Sequence, residues 1–209
     1  MCSSDLTSTS SVVLAPPGGR RRELLVAALH VVADDGLRGL THRAVDRRAG
    51  LPEGTCSAYL RTKQVLLLAL AEHVAATLAS DVDRLADELA DCDDQEELAV
   101  AHTLALFERW LEERDLVMAK LELSLEAPRN PAVAETLSAG RSRLVAVVEG
   151  MLSRGGKPHT LARSEALVAS FDGLLIAALQ KPAAERREFL SSSLALVLHA
   201  LTEPLPDPE

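Results

Sequence analysis

Apolar residues recur along this chain with the three-to-four-residue period of a helix and nowhere in the alternation of a strand. From Arg20 to Asp35, Leu24, Leu25, Ala28, Leu29 and Val32 share one face, and Gly36 stands where helices are commonly closed. Thr41 suits the N-cap of a short helix over 42–48, with Ala44, Val45 and Ala49 inward and Gly50 as its stop. Pro52 fits the first turn of a third helix over 52–59. Thr62 caps the next. Periodic stretches then cover 62–91, 94–113, 115–127, 131–154, 160–180 and 183–202, divided by Pro128, Pro131, Gly155-Gly156, Pro158 and Pro182. Residues 1–19 are rich in Ser, Thr, Pro and Gly and read as a disordered tail, and "PLPDPE" at the other end as a frayed one. The pattern predicts an all-α fold.

Composition narrows the core. Hydrophobic residues make up 47% of the 209 but aromatics only 2%, so the helices must pack on Leu, Val and Ala. The Arg20–Arg22 cluster follows the apolar part of the first segment, the wrong order for an export signal. The apolar window Leu161–Leu179 contains Glu165 and Asp172, which makes it a buried helix rather than a membrane span. Cys2, Cys56 and Cys92 form no paired motif, which fits a reducing cytoplasm and neither a disulfide framework nor zinc. The six histidines are scattered, and neither a nucleophile-elbow nor a phosphate-loop motif occurs. The expectation is a cytoplasmic protein with no catalytic site, metal, cofactor or membrane contact.

Charge is distributed unevenly. The chain carries −9 overall, yet residues 1–63 hold nine basic and six acidic groups, a balance of +3, leaving −12 for the rest. A basic head on an acidic body suits a nucleic-acid-binding module joined to a regulatory one. The head also contains two short helices joined by a glycine turn, the outline of a helix-turn-helix.

The stretch "RRRELLVAALHVVADDGLRGLTHRAVDRRAGLPEGTCSAYLRTKQVLLLAL", Arg20–Leu70, resembles the N-terminal module of the TetR family of bacterial transcriptional repressors. Its counterparts to the family pattern are Gly36, Leu40-Thr41, Val45 to Leu51, Gly54 to Leu60, and Thr62-Lys63 with Leu66. The resemblance implies a helix-turn-helix domain over 20–63 and a helical regulatory and dimerisation domain over 64–205. In such a head, Glu53, Gly54, Thr55, Ser57 and Ala58 offer short or polar groups to bases, and Tyr59 and Lys63 contact phosphate. Arg43 matches a position that reaches a base, Thr41 and His42 reach phosphates, and Arg20, Arg21 and Arg22 grip the backbone or a minor groove. Three departures stand out. Ser57 replaces a common Tyr, Asp46 a common Ala, and Pro52 the usual capping Ser. Asp46 either pairs with Arg43, Arg47 or Arg61 or lies exposed.

Beyond residue 70 the resemblance is architectural. It implies a body cavity for a small-molecule effector. Phe107, Trp110, Met118, Leu121, Glu122, Met151, Phe171 and Asp172 are the candidate lining residues, because Glu122 and Asp172 interrupt apolar helices and need a partner or a ligand. It also implies a homodimer built on the last two helices. Ala169, Gly173 and Ala177 form a small-residue stripe there, and Leu190, Leu194, Val197 and Leu201 an apolar face. The implied partners are a near-palindromic double-stranded operator, the effector and a second copy of the chain. Two other readings stay open: a ligand-binding or scaffold protein with a weakened head, and a thiol-responsive regulator acting through Cys56.

Overall fold

A computed structural model describes residues 17–90 and 95–202 of the chain. Among the described residues every regular element is helical: α1 (Pro17–Gly39), α2 (His42–Arg48), α3 (Thr55–Tyr59), α4 (Lys63–Ala90), α5 (Gln95–Glu112), α6 (Arg114–Glu126), α7 (Pro131–Arg154), α8 (Leu161–Leu179) and α9 (Ala183–Thr202). A 3-10 turn, Ala127–Arg129, joins α6 to α7. The predicted caps are present: the Thr41 and Thr62 hydroxyls accept from Ala44 and Val65 N–H, each at 3.2 Å, and the structure adds Thr160, which accepts from Arg163 N–H at 3.3 Å. The first helix starts at Pro17, inside the segment expected to be a tail. The rest of that tail, Cys92 and the terminal "PLPDPE" lie outside the described residues.

Leu24, Ala28, Val32, Leu40, Val45, Cys56 and Leu60 are buried together and make the head's core. Leu66 and Leu70 of α4 join the same cluster, so α4 serves both parts of the molecule. Its later turns pack against α7, while α8 packs on α9 and α9 on α5. Among the described helices α4 alone is long and apolar enough to cross a membrane, and 56% of that window is buried in the fold, as in a core helix.

Head and body meet along α1 and α6. Gly36 breaks α1 at φ 66°, ψ −178°, a conformation that costs a residue with a Cβ far more than glycine. A Cβ at Gly36 would also lie 3.2 Å from Glu122 Oε2. That oxygen accepts the Leu37 N–H at 3.2 Å, and about two helical turns earlier on the same helices Asp115 Oδ2 lies 2.5 Å from His30 Nδ1. Glu122 therefore satisfies α1 backbone freed by the kink and faces the head.

Candidate functional site

The head presents α3 and the N-terminal half of α2 to solvent. Arg43, Glu53, Gly54, Ala58, Tyr59 and Lys63 are exposed, with Thr55 and Ser57 half-buried beside them. The Arg43 and Glu53 side chains are 80% and 77% exposed and only 3.9 Å apart, so their mutual attraction is weak and Arg43 is available to a partner. Thr55 and Ser57 hydroxyls donate to the Pro52 and Gly54 carbonyls at 2.7 and 2.9 Å, which fixes their orientation and leaves oxygen lone pairs facing outward. His42 is half-buried and its Nε2 donates to the Leu60 carbonyl at 2.5 Å. Its ring thus ties the start of α2 to the end of α3. Arg20 pairs with Glu23 on its own helix at 2.6 Å, Arg21 approaches Glu72 at 3.9 Å, and Arg22 is exposed.

The third helix begins at Thr55, later than the sequence pattern implies, because Gly54 is its N-cap in the left-handed region at φ 92°. Pro52 precedes the helix rather than opening it. Gly54 has no side chain to cap with, and Asp46 does that work from α2. Asp46 Oδ2 accepts from Gly54 N–H at 2.8 Å and Oδ1 from Cys56 N–H at 2.7 Å. Asp46 is buried, so the expectation that it pairs with Arg43, Arg47 or Arg61, or lies exposed, is corrected. Two departures from the family pattern thus become one device. Pro52 removes the capping hydroxyl, and Asp46 supplies two charge-assisted acceptors in its place. The sequence signal was there to be read: a lost cap and a new acid six residues earlier, on the preceding helix.

Cys56 is fully buried beneath that cap. Burial first, and the Asp46 charge second, push its thiol up to about 11. A thiol so placed is neither ionised nor accessible, which removes the basis for a redox switch in α3.

The body holds a cavity of about 240 Å³ between α4, α5, α6, α7, α8 and α9. Phe107, Trp110, Met151, Phe171 and Asp172 line it, as the sequence suggested. Phe107 stacks on Trp110 with ring centroids 5.6 Å apart and meets Phe171 edge-on at 5.4 Å. Met118, Leu121 and Glu122 do not line it. Glu122 is engaged at the head joint described above, and the face of α6 that reaches the cavity is marked by Lys120 instead. The carboxylate of Asp172 finds the basic partner it needs twice over, in Lys120 and, at 3.1 Å, in Arg141. Trp110 Nε1 donates to Asp81 at 2.8 Å, and Asp81 also holds Arg109 at 3.0 Å. Lys120 was missed because a lysine on a mixed helix carries no periodic signal of burial.

The last two helices carry the other candidate surface. Leu190 and Leu194 are fully buried within the single chain, so they build its own core and cannot meet a partner. Val197, Leu201 and Ala177 are half-buried. Ala169 and Gly173 are exposed, a Cβ at Gly173 would meet nothing within 4 Å, and Ile176 and Leu196 lie on the outside at 38% and 71% exposure.

Comparison with known proteins agrees with this geometry. Residues 93–204, over half of the chain, match the family model of the tetracyclin repressor-like C-terminal domain. A transcriptional regulator from Rhodococcus sp. Rha1 is similar in structure, with TM-score 0.67 and 22% identity over 89% of this chain and 99% of that one. Multidrug binding protein EbrR, solved with imidazole, gives 0.66 and 24% over 92% and 98%. A member of the TetR family from Streptomyces coelicolor A3 gives 0.64 and 25% over 87% and 98%. No curated protein matches. With a helix-turn-helix head, an all-helical body around a cavity and a matched C-terminal domain, the chain belongs to the TetR family of transcriptional regulators.

Proposed function

We propose that the protein is a repressor that holds a near-palindromic operator as a homodimer and releases it when a small molecule fills the body cavity. The observation that carries the DNA half is the α2–α3 surface. Arg43, Ala58, Tyr59 and Lys63 stand exposed around a helix whose backbone is pinned from behind by Asp46 and His42. A surface pre-ordered in this way loses little entropy on entering a major groove. The body half rests on the aromatic-walled cavity, and EbrR, a neighbour in fold, is solved with imidazole, proflavin and ethidium. The α1–α6 joint gives the cavity's helices a mechanical route to the head. The dimer rests on the small, apolar outer stripe of α8 and α9, whose Ile176 and Leu196 otherwise face water.

Selection of bound duplexes from a random pool, followed by footprinting, tests the reading. The expected product is an inverted repeat, and Arg43→Ala should relax preference at one base pair per half-site, costing about 1–3 kcal/mol. A pool that enriches no sequence, with the protein folded, would favour the ligand-binding or scaffold reading instead.

A further inference from the structure

The charge around the cavity indicates what class of molecule it accepts; this rests on the reading of the cavity as the effector site. Most of its wall is apolar, including Leu78, Val82, Leu85, Phe107 and Phe171. Among the described residues, the ionisable lining groups are Lys120, Arg154 and Lys157, the last of them already engaged, and the carboxylate of Asp172. That carboxylate already has two cationic partners, Lys120 and, at 3.1 Å, Arg141. A cation approaching Asp172 would therefore face two cations already gathered on it.

We infer that the cavity takes an organic monoanion, a carboxylate borne on an extended apolar body, with Lys120 as its anchor. The ammonium of Lys120 has three N–H donors, so it can hold an incoming carboxylate without abandoning Asp172. Asp172 in any case retains Arg141, and no acid is left unpaired. The apolar body lies against the leucines and the Phe107–Phe171 pair, where each further buried CH₂ strengthens binding. Small hydrophilic anions gain nothing from that wall and are excluded by its desolvation cost.

The test compares decanoate, decanol and decyltrimethylammonium, which share a tail and differ in head charge. Each is titrated into the full chain below its micellar concentration, with Trp110 fluorescence and calorimetry as readouts. Decanoate should bind at least about tenfold more tightly than decanol, a difference of about 1.4 kcal/mol, and the ammonium should bind weakest. Lys120→Met should remove the decanoate advantage and leave decanol unchanged. Lys120→Gln serves as the polar replacement if the methionine variant loses helicity. Decanol binding as tightly as decanoate, or the ammonium binding best, would overturn the monoanion class while leaving the cavity an effector site. A decanoate preference that survives both Lys120 variants would overturn Lys120 as anchor. Absence of heat and of fluorescence change with all three probes would overturn the cavity reading itself, and this inference with it.

Discussion

Removing the Asp46 carboxylate should loosen the whole head. In Asp46→Ala two N–H groups lose their acceptor: Gly54, near solvent, and Cys56, in the buried core. Water can reach the first, so its loss costs about 0.5–1 kcal/mol; the second is left unsatisfied and costs about 1.5–3 kcal/mol. The sum, about 2–4 kcal/mol, is a large fraction of the 5–15 kcal/mol or so that holds an ordinary domain together. Asp46→Asn should fall between, since its amide oxygen can serve one N–H while its NH₂ faces the other. Adding Pro52→Ser to Asp46→Ala restores a hydroxyl where the family carries one and should return about 0.5–2 kcal/mol. Urea denaturation followed by circular dichroism measures stability. Reaction of Cys56 with a thiol reagent, in a chain carrying Cys2→Ser and Cys92→Ser, reports opening of the head alone. Native stability in Asp46→Ala, with Cys56 still unreactive, would refute the capping argument.

Three further outcomes follow from the same structure. Glu122→Ala should lower stability by about 1 kcal/mol through the lost Leu37 acceptor yet leave a ligand's effect on Trp110 unchanged; a weakened fluorescence response would return Glu122 to the cavity. Gly173→Arg and Leu196→Glu should give folded monomers in sedimentation, because neither site is packed within the chain, and dimers in both variants would remove α8 and α9 as the interface. Burial, then Arg22 and Arg21, lower the pKa of His73 below its ordinary 6.5. The unfolded chain therefore takes up this proton first as pH falls, so stability should decline below pH 6.5 and that part of the decline should vanish in His73→Gln; identical pH profiles for the two proteins would count against it.

Several of the helices were legible because they are written twice, once in apolar period and once in a cap. Thr41 and Thr62 do what hydroxyls at those places do, Gly36 kinks α1 and Gly50 follows the end of α2, both with positive φ. The errors share a cause: a side chain's partner can come from an element distant in sequence. Glu122 looked like an unpaired acid on an apolar helix until α1 brought the Leu37 N–H to it. Leu194 looked like surplus apolar surface until its own chain buried it, whereas Leu196, two residues on, is the one left outside. Asp46 was locally decipherable, since the missing cap at Pro52 lies within the same helix-turn-helix. The charge character of the cavity was not, because Lys120, Arg141 and Asp172 come from three separate helices.

Salt dependence of operator affinity tests the central claim most directly. A head that meets DNA through Arg43, Tyr59, Lys63 and the α1 arginines displaces counterions from phosphates on both half-sites. For roughly 6–10 phosphates contacted by a dimer, log K should fall against log salt with a slope of about −5 to −9, and Lys63→Ala should reduce that slope by about one per subunit. A flat dependence, with the protein dimeric and its cavity intact, would contradict the assignment of this chain as a DNA-binding regulator.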